Sequence, residues 1–275
     1  MSMNGRRLQK AKKVRVRPPL FFDSNFATNG VRGVYPDPNP NDLVFGGKTV
    51  YAEGTAPTAI DIWLTYDPKR PGRVVACCSS HNLKNNNGYP RASLTTGEVL
   101  QKGGEYWTAA SWLMTNEISG SDWNALMTAG FGPPYNGPSP TSFADQPNTR
   151  VGYNWLRFSR TVANGGINWA GEEVKVGEWT QVIMHYRLDE SPNGWIEMWI
   201  NTGPGPNDFR KVLPMQYVSV SAPGTTGASY TSIGVYGVEA HKLYVGHHQV
   251  GAGPNGKLGL YLEDFGPGFD PALLP

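Results

Sequence analysis

The sequence predicts an all-β protein: a two-sheet antiparallel β-sandwich of the jelly-roll kind, preceded by an extended basic arm. Three observations predict it. Apolar and polar residues alternate at period two in short runs and rarely recur at the 3.6-residue spacing of a helix. The 34 Gly and 23 Pro of the 275 residues are spread along the whole length without a Gly-X-Y repeat, so they punctuate strands and exclude collagen. Seven Asn-Gly dipeptides, among them Asn29-Gly30, Asn87-Gly88, Asn136-Gly137, Asn164-Gly165 and Asn255-Gly256, supply the φ > 0 pairs that tight hairpins require.

The strongest single element is a hairpin over 179–201. Residues 179–188 and 195–201 both alternate, and the loop between them ends in Asn193-Gly194. In the first run Thr180, Val182, Met184, Tyr186 and Leu188 share one face, and Gln181, His185 and Arg187 the other. In the second, Ile196, Met198 and Ile200 oppose Trp195, Glu197 and Trp199. One face reads as core. The opposite face carries residue types that hold sugars.

The remaining elements follow in chain order. Residues 1–19 form the arm, with Arg6, Arg7, Lys10, Lys12, Lys13, Arg15 and Arg17 and no acid up to residue 17. Taking these seven from 24 basic residues leaves 17 against 22 acidic ones, so the body carries about −5. Such an arm suits docking on an acidic partner or a neighbouring subunit, or is a solvated terminus. Strands are expected at 21–26, 58–66, 73–79 and 104–114, with polar loops at 36–42 and 82–88. A short helix capped by Ser121 is expected at 121–127. Residues 130–147, with five prolines, read as a long loop or crossover. After the hairpin come strands at 212–220, 232–238, 243–250 and 258–262. With about twelve short strands and no second core, residues 20–275 read as one domain.

Several classes are excluded or disfavoured. No apolar run approaches the ~20 residues of a membrane span, and no apolar segment follows the basic arm as in a Sec signal peptide. Cys77 and Cys78 are adjacent on an expected strand, where neighbours point apart, so both are expected as free buried thiols. No phosphate loop, zinc motif or nucleophile elbow occurs. Asp37, Asn39, Asn41 and Asp42 are hard oxygen donors suited to Ca²⁺, although Asx turns account for them, and no cofactor is expected. His241, His247 and His248 cluster late in the chain, but adjacent strand residues point apart and do not share a metal. Glu172-Glu173 and Asp189-Glu190 fall in apparent loops, and no Glu-X-Asp-X-X-Glu strand is present for hydrolysis by two carboxylates.

Gly177-Glu-Trp-Thr-Gln-Val and Gly194-Trp-Ile-Glu-Met-Trp-Ile-Asn resemble the signature of concanavalin A-like jelly rolls. Within that group the chain is most similar to polysaccharide lyases of the heparin- and alginate-lyase type. The similarity rests on Arg91-Ala-Ser-Leu94, Glu105-Tyr-Trp107 and Ser232-Ile-Gly-Val-Tyr236, and runs loosely over residues 58–250. It implies a scaffold with a groove. Lyases of this type abstract the C5 proton of a uronic acid with His or Tyr while polar side chains neutralise the carboxylate. On that resemblance a catalytic set would be His185, Tyr236, Arg91 and Arg187. Two departures stand against it. No Gln-X-His lies between the Glu-Tyr-Trp strand and the Trp179 strand, and Ser93 stands where the family has Glu.

The aromatic content, with nine Trp and 13 Tyr, exceeds the needs of a core of this size. Gln181, His185, Arg187, Trp195 and Trp199 are therefore expected to form a glycan-binding surface. With the degraded lyase pattern and the basic arm, the expectation is a non-catalytic carbohydrate-binding, structural protein of a virion. It resembles phage minor tail proteins, which bind a cell-surface polysaccharide and meet neighbouring subunits through the arm as an oligomer. That setting would be the virion, with the cytoplasm as alternative, and nucleic acid is not expected as a partner. The alternative function is a polysaccharide lyase acting on a uronic-acid polymer by β-elimination.

Overall fold

Sixteen strands are present in the computed structural model among the described residues. These are residues 20, 22–23, 42–45, 48–53, 60–80, 91–95, 100–115, 125–131, 141–145, 154–159, 168–174, 176–190, 192–201, 203–217, 220, 230–236, 241–261 and 268–275. The first six are β1 (Phe22–Asp23), β2 (Asp42–Phe45), β3 (Lys48–Glu53), β4 (Ile60–Tyr66), β5 (Val74–Ser80) and β6 (Arg91–Thr95). Next come β7 (Glu105–Met114), β8 (Ala125–Phe131), β9 (Thr141–Asp145), β10 (Asn154–Ser159) and β11 (Asn168–Val174). The last five are β12 (Trp179–Arg187), β13 (Trp195–Asn201), β14 (Phe209–Tyr217), β15 (Tyr230–Tyr236) and β16 (His241–Ala252).

They form two antiparallel eight-stranded sheets. The first runs β14-β13-β12-β7-β16-β5-β4, with β1 also pairing with β16. The second runs β11-β10-β9-β8-β15-β6-β3-β2. Contacts of β15 with β16 and β5, and of β6 with β5 and β4, lay the second sheet across the first. Neighbours such as β7 and β16 are far apart in sequence. This is the crossing connectivity of a sandwich rather than a meander.

The period-two pattern of the hairpin holds residue by residue. β12 and β13 pair from Gln181↔Asn201 to Arg187↔Trp195, and β12 pairs with β7 from Trp179↔Leu113 to Arg187↔Glu105. One face of the first sheet carries Trp112, Val182, Met184, Tyr186, Ile196, Met198, Ile200, Val245 and Val250, none more than 0% exposed. At roughly 25 cal/mol per Å² of apolar area buried, side chains of this size contribute about 1.5–3 kcal/mol each, which makes this layer the main core. The Tyr186 hydroxyl is buried in it within 3.0 Å of the Thr108 hydroxyl, and burial pushes its ionisation well above the ordinary tyrosine range.

The opposite face of the first sheet is also covered. Trp107, Ala109, Ile183, Trp199 and Phe209 pack with Leu260 and Phe269 of the C-terminal segment, joined by Leu20 and Leu274. Gly251 and Gly256 make this possible. A Cβ on Gly251 would lie 2.1 Å from the Gly256 carbonyl oxygen, so the chain leaving β16 folds back only because both lack side chains.

Four sequence expectations change. The described part of the helix expected at 121–127 is strand, because Ala125-Leu-Met-Thr-Ala-Gly-Phe131 is β8, paired with β15 on one side and β9 on the other. Pairing on both edges overrides the helix preference of Ala, Leu and Met. The 130–147 stretch contains β9, a five-residue strand between its prolines, and Glu172 and Glu173 lie on β11 rather than in a loop. The strand expected at 258–262 is instead a 3₁₀ turn at Gly256–Gly259. The arm over 1–19 and the loop at 82–88 lie outside the described residues, as do Asp37, Asn39 and Asn41 of the proposed Ca²⁺ loop. Asp42 opens β2. Among the described residues no helix is long and apolar enough to cross a membrane.

Candidate functional site

The residues proposed for catalysis from sequence are divided between the two sheets. Arg91 opens β6 and Tyr236 closes β15, and these two are direct Cα partners in the antiparallel register. Ser93 faces Gly234 and Thr95 faces Ser232 along the same pair of strands. The Arg-containing strand and the Gly-Val-Tyr strand therefore lie side by side, which their separation of more than 130 residues in sequence does not reveal. On the far side of β15 lies β8, with Ser232 opposite Thr128 and Ile233 opposite Met127. β8 holds no His, Gln or Tyr, and no His occurs anywhere between His81 and His185. The strand neighbouring the Arg91–Tyr236 pair thus offers no imidazole.

His185 and Arg187 belong to the first sheet, on β12. His185 is 8% exposed and engaged on every side. Its Nδ1 lies 2.8 Å from Glu197 Oε1 and its Nε2 lies 2.8 Å from Glu105 Oε1. Both ring nitrogens are thus engaged with carboxyl oxygens inside the fold. The ring stacks on Trp107 with centroids 3.5 Å apart and receives the edge of Trp195 at 4.5 Å. Lys211 Nζ adds a 2.9 Å bond to Glu197 Oε2 and lies over the Trp199 ring. Glu105, Glu197 and Lys211 come from three strands, β7, β13 and β14, and their meeting at His185 follows from register alone. This is an ionic pin between strands.

The surface expected from Gln181, His185, Arg187, Trp195 and Trp199 is only partly open. Gln181 is fully buried and accepts from Asn201 Nδ2 at 3.3 Å. Trp199 is 2% exposed and its Nε1 donates to the Pro275 carbonyl at 2.8 Å. Trp199 is covered by the C-terminal segment, which the alternation of the hairpin cannot foretell. Arg187, with 46% of its side chain exposed, and the half-buried Trp195 reach the surface.

Other polar groups are structural. Asp67 is buried, accepting from the Trp179 Nε1 at 3.2 Å and from the Lys69 and Arg70 amides, and pairs with Arg73. His247 and His248 are each 1% exposed, and burial lowers both to about 3, with Arg73 adding to the effect at His247. Cys77 and Cys78 are free and buried, as expected, and burial raises the Cys78 thiol. Among the described residues no group of three or more His, Cys, Asp or Glu is placed to hold a metal.

No protein-family model and no curated protein matches the chain. Solved structures do. An endo-β-1,4-glucuronan lyase from the fungus Trichoderma reesei superposes with a TM-score of 0.56 at 12% identity, covering 78% of this chain and 94% of the other. The fold is a jelly roll of the concanavalin A-like kind. Also similar are the catalytic domain of a glycoside hydrolase family 131 protein from Coprinopsis cinerea (TM-score 0.48, 12% identity, 86% and 96% covered) and the alginate lyase A1-II' (0.47, 12%, 70% and 83%). The likeness to the glucuronan lyase corrects the expectation of a non-catalytic structural protein of a phage tail. The fold is matched over 94% of a chain that is a lyase, not a virion protein.

Proposed function

We propose that the protein is a polysaccharide lyase that cleaves a uronic-acid polymer by β-elimination at the second sheet, around Arg91 and Tyr236. The observation that carries this reading is the direct register pairing of those two residues on β6 and β15. It is supported by the likeness in fold to a glucuronan lyase. Their chemistry suits the reaction. The Arg91 guanidinium neutralises the C6 carboxylate, which acidifies H5. In its phenolate form Tyr236 takes that proton, the electron pair forms the C4–C5 double bond, the C4–O4 bond breaks, and the Tyr236 hydroxyl returns the proton to the leaving O4. The absence of a His from β8 leaves Tyr236 as the residue of this pair able to carry a proton.

The test is to incubate the protein separately with β-1,4-glucuronan and with alginate. Ultraviolet absorbance of the unsaturated product is followed for wild type, Tyr236→Phe and Arg91→Gln. Product from the wild type and its loss in both variants is the expected result. A wild type that makes no unsaturated product from either polymer, or a Tyr236→Phe variant as active as wild type, overturns the reading.

A further inference from the structure

A row of side chains crosses one end of the first sheet, where β7 and β13 begin and β12 and β14 end. The register places Glu105, Arg187, Trp195 and Tyr217 in line, each opposite the next. Opposed residues of an antiparallel pair share a face, with Cβ atoms about 4.5–5.5 Å apart, so this is one continuous strip. Glu105 belongs to the His185 pin. The other three are open. Tyr217 is 69% exposed, Trp195 half-buried, and Met215, two residues from Tyr217, is 40% exposed.

The polar ends of these side chains have almost no work within the fold. Among the described residues the one ion contact of Arg187 is Nε to Asp189 Oδ2 at 3.7 Å, beyond hydrogen-bond distance. Two buried indoles of the same sheet spend their donors inside the fold. Trp199 Nε1 reaches Pro275 and Trp179 Nε1 reaches Asp67. The acids around the strip are already matched: Glu190 by Lys102, Glu197 by Lys211 and His185. That leaves the Arg187 fork as a charge facing outward beside the exposed Tyr217 ring and the half-buried Trp195 ring.

The strip is also rigid. Trp195 meets His185 edge-on, and His185 is fixed between Glu105 and Glu197 on Trp107. A ring held this way loses little freedom on binding, and Trp and Tyr have only two side-chain torsions to lose. Aromatic rings one strand apart present apolar faces of the size of a sugar ring, while an Arg fork binds a carboxylate through two parallel N–H···O bonds.

We propose that Arg187, Trp195 and Tyr217 form a second, non-catalytic binding strip for an acidic polysaccharide, on the sheet opposite the one carrying Arg91 and Tyr236. The two rings stack on consecutive sugar rings and Arg187 takes a uronate carboxylate. This rests on the proposed function only for the choice of polymer. The strip holds the enzyme on a long chain while the other sheet cleaves.

The experiment is native affinity electrophoresis of the full chain through gels containing β-1,4-glucuronan, alginate or neutral cellulose derivative, read as retardation relative to a polymer-free gel. Wild type, Trp195→Ala, Tyr217→Ala and Arg187→Gln are compared. Thermal unfolding of each variant confirms that the fold survives; Tyr217 and Arg187 are exposed enough that it does. Retardation by an acidic polymer that falls at least threefold in Tyr217→Ala and in Arg187→Gln, with the Arg187 effect shrinking in high salt, is the expected result. The proposal is overturned if wild type is not retarded by either acidic polymer, or if the variants are retarded as strongly as wild type. Retardation by the neutral polymer alone also overturns it. The lyase reading is decided separately, by unsaturated product in the Tyr236→Phe comparison, so either can fail without the other.

Discussion

The two sheets of this protein use polar and aromatic side chains to opposite ends. On the first sheet, a His, two Glu, a Lys and several Trp sit on what the alternation marks as an outer face, yet His185, Glu197, Trp107 and Trp199 are buried, and Glu105 and Lys211 are tied to them by hydrogen bonds. On the second sheet, an Arg and a Tyr far apart in sequence become direct partners across adjacent strands. A polar face on a strand says only that the face is not in the main core. Whether it binds a ligand or builds a second layer depends on what the rest of the chain lays over it. Here Leu260, Phe269, Leu274 and Pro275 cover the middle of the first sheet's outer face, and the end of the strand row at Arg187 and Tyr217 remains open.

The contrast is broken most directly by exchanging the roles. Tyr236→Phe is expected to reduce product formation from a uronate polymer by about 10²–10⁴-fold, the usual worth of a positioned acid–base group, with little change in melting temperature. If His185→Leu abolished product formation in a folded protein while Tyr236→Phe did not, the assignment of the two sheets would be reversed. Next in size, Phe269→Ala removes a ring from the layer formed with Trp107, Trp199 and Phe209. A loss of about 3 kcal/mol in denaturant unfolding is expected, with the increase in tryptophan accessibility reported by quenching.

His185→Leu is expected to cost about 2 kcal/mol of stability, because it leaves Glu105 and Glu197 without their shared partner. Partial exposure of Glu105 holds this below the cost of a fully buried pair. A double change of His185→Leu with Glu105→Gln should recover part of that loss, which a melting series checks. The smallest effect is the pH response of His247 and His248. Both are lowered to about 3 when folded, against about 6.5 unfolded, so the unfolded chain binds more protons below pH 6.5. Their contribution is complete above that value and is lost as pH falls toward 3. Between pH 7 and pH 6 the expected loss is on the order of 1 kcal/mol for the pair. Unfolding midpoints that stay level over this interval in wild type would remove these two groups from the account.

Much of the fold was legible from the chain. Period-two alternation set the faces of β12 and β13 correctly, and the Asn193-Gly194 turn joined them, because a strand's side-chain period is a local property of backbone geometry. The buried, unbridged state of Cys77 and Cys78 followed from the same rule. Local preference failed at 121–127, where Ala, Leu and Met read as helix and two neighbouring strands decided otherwise. It failed again at 258–262, where the two glycines let the chain turn back onto the sheet instead of extending it.

The site was legible only in its parts. The sequence alone determined that Tyr236, His185 and Arg187 lie on strands and which neighbours share a face with His185 and Arg187, since alternation and turn chemistry act over a few residues, while Arg91 was singled out only by resemblance. The tertiary structure alone decided that Arg91 meets Tyr236 while His185 meets Glu105 and Glu197. It also decided that Trp199 is roofed by the C-terminal segment while Trp195 and Tyr217 stay open. Those outcomes depend on strand order and on the path of the last twenty residues, which are fixed by long-range pairing and packing rather than by any local period.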